Sequence, residues 1–89
     1  MYRHLEQPDH KVETKAELIE LVDQFLEGEI EAGDCIAVFF ELPGLFAPEV
    51  IVNPRANVSE KLEYYTAAYN DDLQLYANNA VKIIGISFL

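Results

Sequence analysis

The longest periodic segment of this 89-residue chain runs from Asn57 to Tyr76, and the other elements are short enough to pack around it. Its apolar residues recur every three or four positions, which places them on one face of an α-helix. Asn57 and Glu60 form a capping-box-like pair just after Asn53-Pro54, so the sequence predicts that the helix begins there. The predicted buried stripe consists of Val58, Leu62, Tyr65, Tyr69, Leu73 and Tyr76.

The end of this helix is open to two interpretations. Helix is predicted as far as Tyr69, but Asn70-Asp71-Asp72 disfavours a helix interior and Leu73-Gln74-Leu75 alternates as a strand does. Either the helix continues to Tyr76, or this tail is a strand and Asn78-Asn79 forms a hairpin turn. The second alternative adds a fourth strand to the sheet.

A second capping box, Thr14 with Glu17, predicts an earlier helix that ends near Gly28 or Gly33. After it, three apolar runs have the length and composition of β-strands. The loop Glu41–Pro48 separates the first two runs, because Pro43-Gly44 favours a turn and Pro48 cannot lie inside a central strand. The predicted strands are Cys35–Phe40, Val50–Val52 and Val81–Phe88.

The element order helix, strand, strand, helix, strand predicts a two-layer α+β sandwich. A short connection makes the first two strands antiparallel, and a helical crossover makes the second and third run parallel. We therefore expect a three-stranded mixed sheet with the strand Cys35–Phe40 in the middle and both helices on one face. Residues 1–89 form one domain, of which residues 1–12 are predicted to be loose.

The predicted sheet has an apolar second face. In the strand Cys35–Phe40, Ala37 and Phe39 point away from the side that the helices cover. An uncovered apolar face is an interaction surface, so the sequence predicts a homodimer through this face, a partner protein, or helices divided between the two faces.

The net charge of −10 is concentrated at the front of the chain. Residues 1–34 contain ten acidic and three basic residues, whereas residues 35–89 contain six and three. This charge disfavours direct nucleic-acid binding and binding to anionic membranes, since both need clustered Lys and Arg. A basic protein partner is permitted. A single cysteine, Cys35, and the lack of a leader pattern or long apolar stretch predict a reduced, cytoplasmic setting.

Two features could bind such a partner. Glutamates follow one another along the outer side of the first helix without an interleaved base, and they form either a recognition surface or a solvated face. Leu45 and Phe46 lie in the loop between the first two strands and either fold back over the core or project as a contact. The candidate protein-binding residues are Glu17, Glu20, Glu27, Glu31, Leu45 and Phe46.

A ligand site is the alternative from a different functional class. Arg55 precedes a helix N-terminus, where a small anion is favoured, and Tyr64 and Tyr69 could complete a polar pocket. The competing interpretation is that Arg55 forms a surface ion pair with Glu60 or Glu49.

No sequence pattern indicates an enzyme. The glycines are scattered singly, Ser59 and Ser87 have no catalytic context, and His4 and His10 lack the further ligands that a metal site needs. We therefore predict no catalytic residue, no metal site and no cofactor.

The second half of the chain resembles short uncharacterised acidic proteins of Gram-positive prophages and mobile elements. Three stretches carry this resemblance: Asn53-Pro54-Arg55, Lys61 to Leu73, and Val81 to Gly85. It implies a cytosolic accessory protein and assigns no functional residue. The acidic first helix lies outside this resemblance. Its unpaired glutamates favour a small acidic protein-binding module, such as an antagonist of a basic or nucleic-acid-binding protein.

Overall fold

A computed structural model describes residues 7–28 and 33–89 and shows an α+β fold. Within those residues, two helices accompany one five-stranded antiparallel sheet. In chain order the elements are β1 (His10–Lys11), α1 (Lys15–Leu26), β2 (Cys35–Glu41), β3 (Glu49–Pro54), α2 (Arg55–Ala68), β4 (Gln74–Leu75) and β5 (Asn78–Phe88).

The strands lie in the order β1-β5-β2-β3, with β4 pairing to β5. β2 and β3 form the predicted antiparallel hairpin, and β2 has β5 on its other side. The predicted three-stranded mixed sheet is wrong in the number of strands and in their pairing, although β3 and β5 run in the same direction, as predicted, because both are antiparallel to β2. β2 separates β5 from β3, so no parallel pair forms, and β1 and β4 are two-residue strands that are too short to produce a periodic pattern.

The start of α1 is the predicted capping box. The Thr14 side chain accepts a hydrogen bond from the Glu17 amide, and the Glu17 carboxylate accepts one from the Thr14 amide. The helix ends at Leu26 and is followed by Gly28, whose positive φ of 77° suits glycine. The first of the two predicted ends is therefore correct.

The predicted start of α2 is wrong. The helix begins at Arg55 rather than Asn57, and its N-cap, Pro54, makes no side-chain capping bond. β3 continues into α2 without a loop, and the Arg55 amide donates a 2.7 Å hydrogen bond to the Asp34 carbonyl oxygen. A distant backbone group thus satisfies an amide at this helix start, in place of a local side chain.

α2 ends at Ala68, and the chain then turns back as a strand. The Asn70 Oδ1 accepts hydrogen bonds of 2.9 Å from the amides of Asp72 and Gln74, which closes a tight turn. Within it, Leu73 is fully buried and adopts a positive φ of 61°. The interpretation of this tail as a strand is therefore correct. The hairpin turn is formed by Tyr76-Ala77, the two residues before the predicted Asn78-Asn79.

Both helices contribute to one core on one side of the sheet, which we call the helix face. Alternate residues of β2, namely Ile36, Val38 and Phe40, are buried there beside Ile83 and Ile86 of β5. From the helices, the same cluster includes Leu18, Val22 and Phe25 of α1 and Val58 and Tyr65 of α2.

The opposite face of the central strand is also covered. Ala37 and Phe39 are both 0% exposed, so the expectation that they form a bare sheet face is wrong. The Asp9 amide donates to the Ser87 hydroxyl, and Pro8 packs so closely on Gly85 that a side chain at position 85 would overlap it. Residues 7–12, predicted to be loose, are therefore docked, while residues 1–6 lie outside the described range.

Candidate functional site

The outer side of α1 and its C-cap residue carry three exposed carboxylates, Glu20, Asp23 and Glu27, which we call the acidic face. A helix turns about 100° per residue, so these three side chains fall within a sector of about 60°. This sector lies opposite the buried residues Leu18, Val22 and Phe25. Glu31, the last of the four glutamates predicted to bind a partner, lies outside the described residues.

Glu17 has a different role from the acidic face. Its Oε1 accepts hydrogen bonds of 3.0 Å from the amides of Glu13 and Thr14, and one of 3.2 Å from the Thr14 hydroxyl. The bond from the Glu13 amide is the main cause that lowers the pKa of Glu17. Desolvation opposes it, and the two bonds from Thr14 lower the pKa further. The Glu17 carboxylate is therefore engaged in the cap at the start of α1 and is not counted in the acidic face.

The only base in α1 is turned toward α2. The Lys15 Nζ donates a 2.8 Å hydrogen bond to the Thr66 carbonyl oxygen, and its amide donates to the Asp71 carbonyl oxygen. Lys15 therefore joins the two helices and does not extend along the outer side of α1. The acidic face carries no charge compensation from its own helix.

Arg55 makes a contact that neither sequence interpretation anticipated. Its Nη1 donates a 3.1 Å hydrogen bond to the Phe25 carbonyl oxygen, and its guanidinium carbon lies 4.0 Å from the centre of the Phe25 ring. The Phe25 carbonyl is one of the last in α1, where a cation is favourable. Arg55 thus caps the end of α1 from the start of α2.

Aromatic side chains gather at the other end of α2. Neighbouring rings lie 5.6 to 6.4 Å apart among Tyr64, Tyr65, Tyr69 and Phe40. They border an open groove of about 340 Å³ between α2 and β3, the tyrosine groove, which is lined by Phe40, Leu42, Glu49, Ile51, Lys61, Tyr64, Tyr65, Tyr69 and Val81.

The structure brings together two of the three predicted ligand-binding residues. Tyr64 and Tyr69 line the tyrosine groove, but Arg55 lies nine residues before Tyr64, roughly 13 Å away along the helix. The cation in the groove is instead Lys61, whose Nζ lies 6.0 Å from the centre of the Tyr64 ring. The predicted trio therefore does not form one site.

The buried tyrosines of the groove keep their protons at neutral pH. Burial raises the pKa of Tyr69 to about 12, with smaller contributions from Tyr64 and Tyr65. Burial also raises the pKa of Tyr65, although a hydrogen bond with the Asn53 side chain opposes this effect. At neutral pH both phenols are hydrogen-bonding groups and not bases.

Leu45 and Phe46 project into solvent from the loop between β2 and β3. Leu45 is 55% exposed and Phe46 is fully exposed, so the two side chains project and do not fold back over the core. Phe46 also borders an open groove of about 470 Å³ whose other lining residues are Gln7, Pro8, Lys11, Ala47, Pro48 and Ile84.

The remaining chemistry-bearing residues of the described ranges form no site. His10 packs its ring on Phe88, and Cys35 is a half-buried free thiol. Residues 7–28 and 33–89 contain no cluster of three or more His, Cys, Asp or Glu that could bind a metal ion. No helix within those ranges has the length and hydropathy needed to span a membrane.

Two exposed hydrophobic residues differ from the sequence predictions. Tyr76, predicted to lie in the buried stripe of the second helix, is 65% exposed in the turn between β4 and β5. Ile51 lies in β3 and is 42% exposed, although its run Val50-Ile51-Val52 has the composition of a buried strand. β3 is the last strand in the sheet order, and α2 leaves part of it uncovered. The position of a strand in a sheet is not encoded in its own residues.

Comparison with known proteins adds no relative, since no family model, curated protein or solved structure matches this chain.

Proposed function

We propose that this chain is a small, cytoplasmic, non-enzymatic accessory protein that binds a basic protein partner through the acidic face of α1. The observation that carries the proposal is the engagement of Lys15 with the Thr66 carbonyl, which leaves Glu20, Asp23 and Glu27 without a base of their own helix. Surfaces of this kind attract and orient basic partners.

The partner class follows from charge. A net charge of −10 opposes direct binding to nucleic acid, but it suits the basic surface with which another protein would bind nucleic acid. Occupation of that surface would make this chain an antagonist of its partner. The idea agrees with the accessory role that the resemblance to prophage and mobile-element proteins implies.

The exposed pair Leu45 and Phe46 supplies a second contact in this proposal. The pair lies in the loop at the far end of β2 from the point where Arg55 meets the end of α1. An exposed phenylalanine can add apolar contact area to an interface that charge has oriented. A partner that touches both regions must extend across more than one side of the molecule.

Capture from a host lysate with matched variants tests the proposal. The test variant carries Glu20→Gln, Asp23→Asn and Glu27→Gln, and the control carries Glu41→Gln, Glu60→Gln and Glu63→Gln. All six residues are exposed, and both variants lose the same charge. We expect the test variant to lose the captured partner and the control to retain it. Equal capture by both variants would overturn the assignment to the acidic face.

The second candidate is a regulatory domain that binds a small anion or polar ligand in the tyrosine groove. The volume of about 340 Å³ and the position of Lys61 beside Tyr64 favour it. Phosphates and nucleotides should then raise the melting temperature of the wild type, because ligands stabilise the state that they bind. The increase should disappear in Lys61→Ala and persist in Lys11→Ala. No increase with any of these compounds would contradict this candidate.

A further inference from the structure

β3 is an edge strand whose central residues carry no protecting charge. It lies at the end of the sheet, and within residues 7–28 and 33–89 it pairs on one side only, with β2. Soluble proteins commonly protect such an edge with lysines, inward charges or bulges. Here the stretch Val50–Asn53 is uncharged and consists largely of β-branched residues, which favour strand pairing.

The directions of the free backbone groups follow from two sets of hydrogen bonds. Cys35 and Leu89 donate backbone hydrogen bonds to each other. The N–H and C=O groups of the odd-numbered residues of β2 therefore point toward β5. The Arg55 amide donates to the carbonyl of Asp34, an even-numbered residue just before β2. The N–H and C=O groups of the even-numbered residues of β2 therefore point toward β3. In an antiparallel ladder, the amides and carbonyls of Val50 and Val52 must therefore point outward.

Two prolines delimit this outward edge. The backbone of Pro54 faces outward, as do those of Val50 and Val52. Proline has no N–H, but at this position its absence removes no hydrogen bond to β2. Pro48 limits the edge at the other end. The free edge therefore offers two donors and two acceptors from its valines.

We propose that β3 pairs with β3 of a second copy of this chain, in a two-fold antiparallel dimer with a continuous sheet. Opposite the valines of one copy lie those of the other: Val50 pairs with the partner's Val52, and Val52 with the partner's Val50. In this register the backbone N–H and C=O groups of Val50 and Val52 are all hydrogen-bonded in each copy. No proline is required to donate a hydrogen bond. A two-fold contact of this kind uses the same patch on both copies and therefore closes.

The side chains and charges fit a second copy. Ile51, which is 42% exposed, lies directly against the partner's Ile51, and Tyr64 of the adjacent groove, 54% exposed, flanks the pair. Glu49 falls opposite the partner's Asn53 rather than another carboxylate. The acidic face of α1 takes no part in this contact, so the dimer and the proposed function can fail independently.

Salt separates the two kinds of association. Each copy has a net charge of −10, so the two copies repel each other and added salt should strengthen the dimer. Binding of a basic partner to the acidic face should instead weaken with salt.

Sedimentation equilibrium over a concentration series tests the dimer, with Ile51→Lys as the test variant and Phe46→Lys as the control. Both substitutions add one positive charge at an exposed apolar residue. The wild type and Phe46→Lys should rise from 10.1 kDa toward twice that mass. Ile51→Lys places like charges face to face and should weaken association by more than about tenfold. A wild type that stays monomeric, or equal association of Ile51→Lys, would overturn the proposal.

Amide hydrogen exchange gives a second test that needs no variant. Exchange at Val50 and Val52 should slow as the protein concentration rises, whereas the Ile51 amide, which points toward β2, should be protected at every concentration. Exchange at the two valines that is independent of concentration would contradict the pairing.

Discussion

The Arg55 guanidinium lies 4.0 Å from the centre of the Phe25 ring and donates a 3.1 Å hydrogen bond to the Phe25 carbonyl oxygen. These residues lie at the start of α2 and near the end of α1. One side chain therefore adds a charged hydrogen bond to a carbonyl that also accepts from the Gly28 amide, places a cation at the negative end of a helix and covers a core ring. Arg55, the first candidate for a ligand contact, is a structural link between the helices.

Replacement of Arg55 should therefore destabilise the protein. We expect Arg55→Ala to lower the free energy of unfolding by about 1–3 kcal/mol, since both a charged hydrogen bond and a cation–π contact are lost. Arg55→Lys should have an intermediate effect, because lysine keeps the charge but not the planar donor group. Denaturant unfolding measures this change. Lys61→Ala, which removes a more distant cation–π contact, is the control and should change stability little. A fully stable Arg55→Ala protein would refute the structural role.

The capping box of α1 predicts a pH-dependent contribution from Glu17. Its pKa is lower in the folded protein than in the unfolded chain, so its stabilisation is present above the unfolded value of 4.5 and is lost as the pH falls through the folded value. Glu17→Gln should therefore lower the melting temperature at neutral pH and have a progressively smaller effect in acid. Glu20→Gln is the matched control. The same difference between wild type and Glu17→Gln at every pH would contradict this account.

The buried tyrosines predict a loss of stability in alkali. The folded pKa of Tyr69 is about 12 against an ordinary value of 10.0, so its contribution is complete below pH 10 and is lost as the pH rises toward 12. Tyr69→Phe has no phenol to ionise and should lose less stability over this range. Thermal melts from neutral to alkaline pH measure the difference. Parallel alkaline losses in both proteins would show that Tyr69 does not carry the effect.

The docking of residues 7–12 depends on the close contact at Gly85. A methyl group at this position would overlap the Pro8 side chain and the His10 carbonyl oxygen, so Gly85→Ala should displace β1 and cost about 1–3 kcal/mol of stability. Hydrogen exchange should then become faster at the amides of Asp9 and Val12, which bond to Ser87 and Ile84. Pro8→Ala in the Gly85→Ala background should recover part of the loss. Unchanged exchange at these amides would contradict the contact.

Local patterns in the sequence predicted local structure well. The Thr14–Glu17 capping box and the β2–β3 hairpin involve residues close in the chain, and both are present. The start of α2 cannot be predicted from local sequence, because it depends on the Asp34 carbonyl, 21 residues earlier in the chain. The role of Arg55 was missed for the same reason, since its partner Phe25 is 30 residues away.

The candidate site shows the same division. Helical spacing alone predicts that Glu20 and Glu27 of the acidic face lie on one side of α1, whereas Glu17 of the predicted set belongs to the helix cap. The engagement of Lys15 by Thr66 and the exposure of Ile51 could not be predicted, because the first needs the position of α2 and the second needs the order of the strands. Burial of Ala37 and Phe39 likewise depends on how the rest of the chain packs over that side of the sheet.

The most direct test of the central claim is the salt dependence of affinity for the partner that the wild type captures. Calorimetry should show affinity that falls steeply with salt for the wild type and for the Glu41, Glu60 and Glu63 control. The acidic-face variant should bind weakly and respond little to salt, because the carboxylates that attract the partner are gone. Equal affinity and equal salt dependence in all three proteins would contradict the claim that the acidic face of α1 is the binding surface.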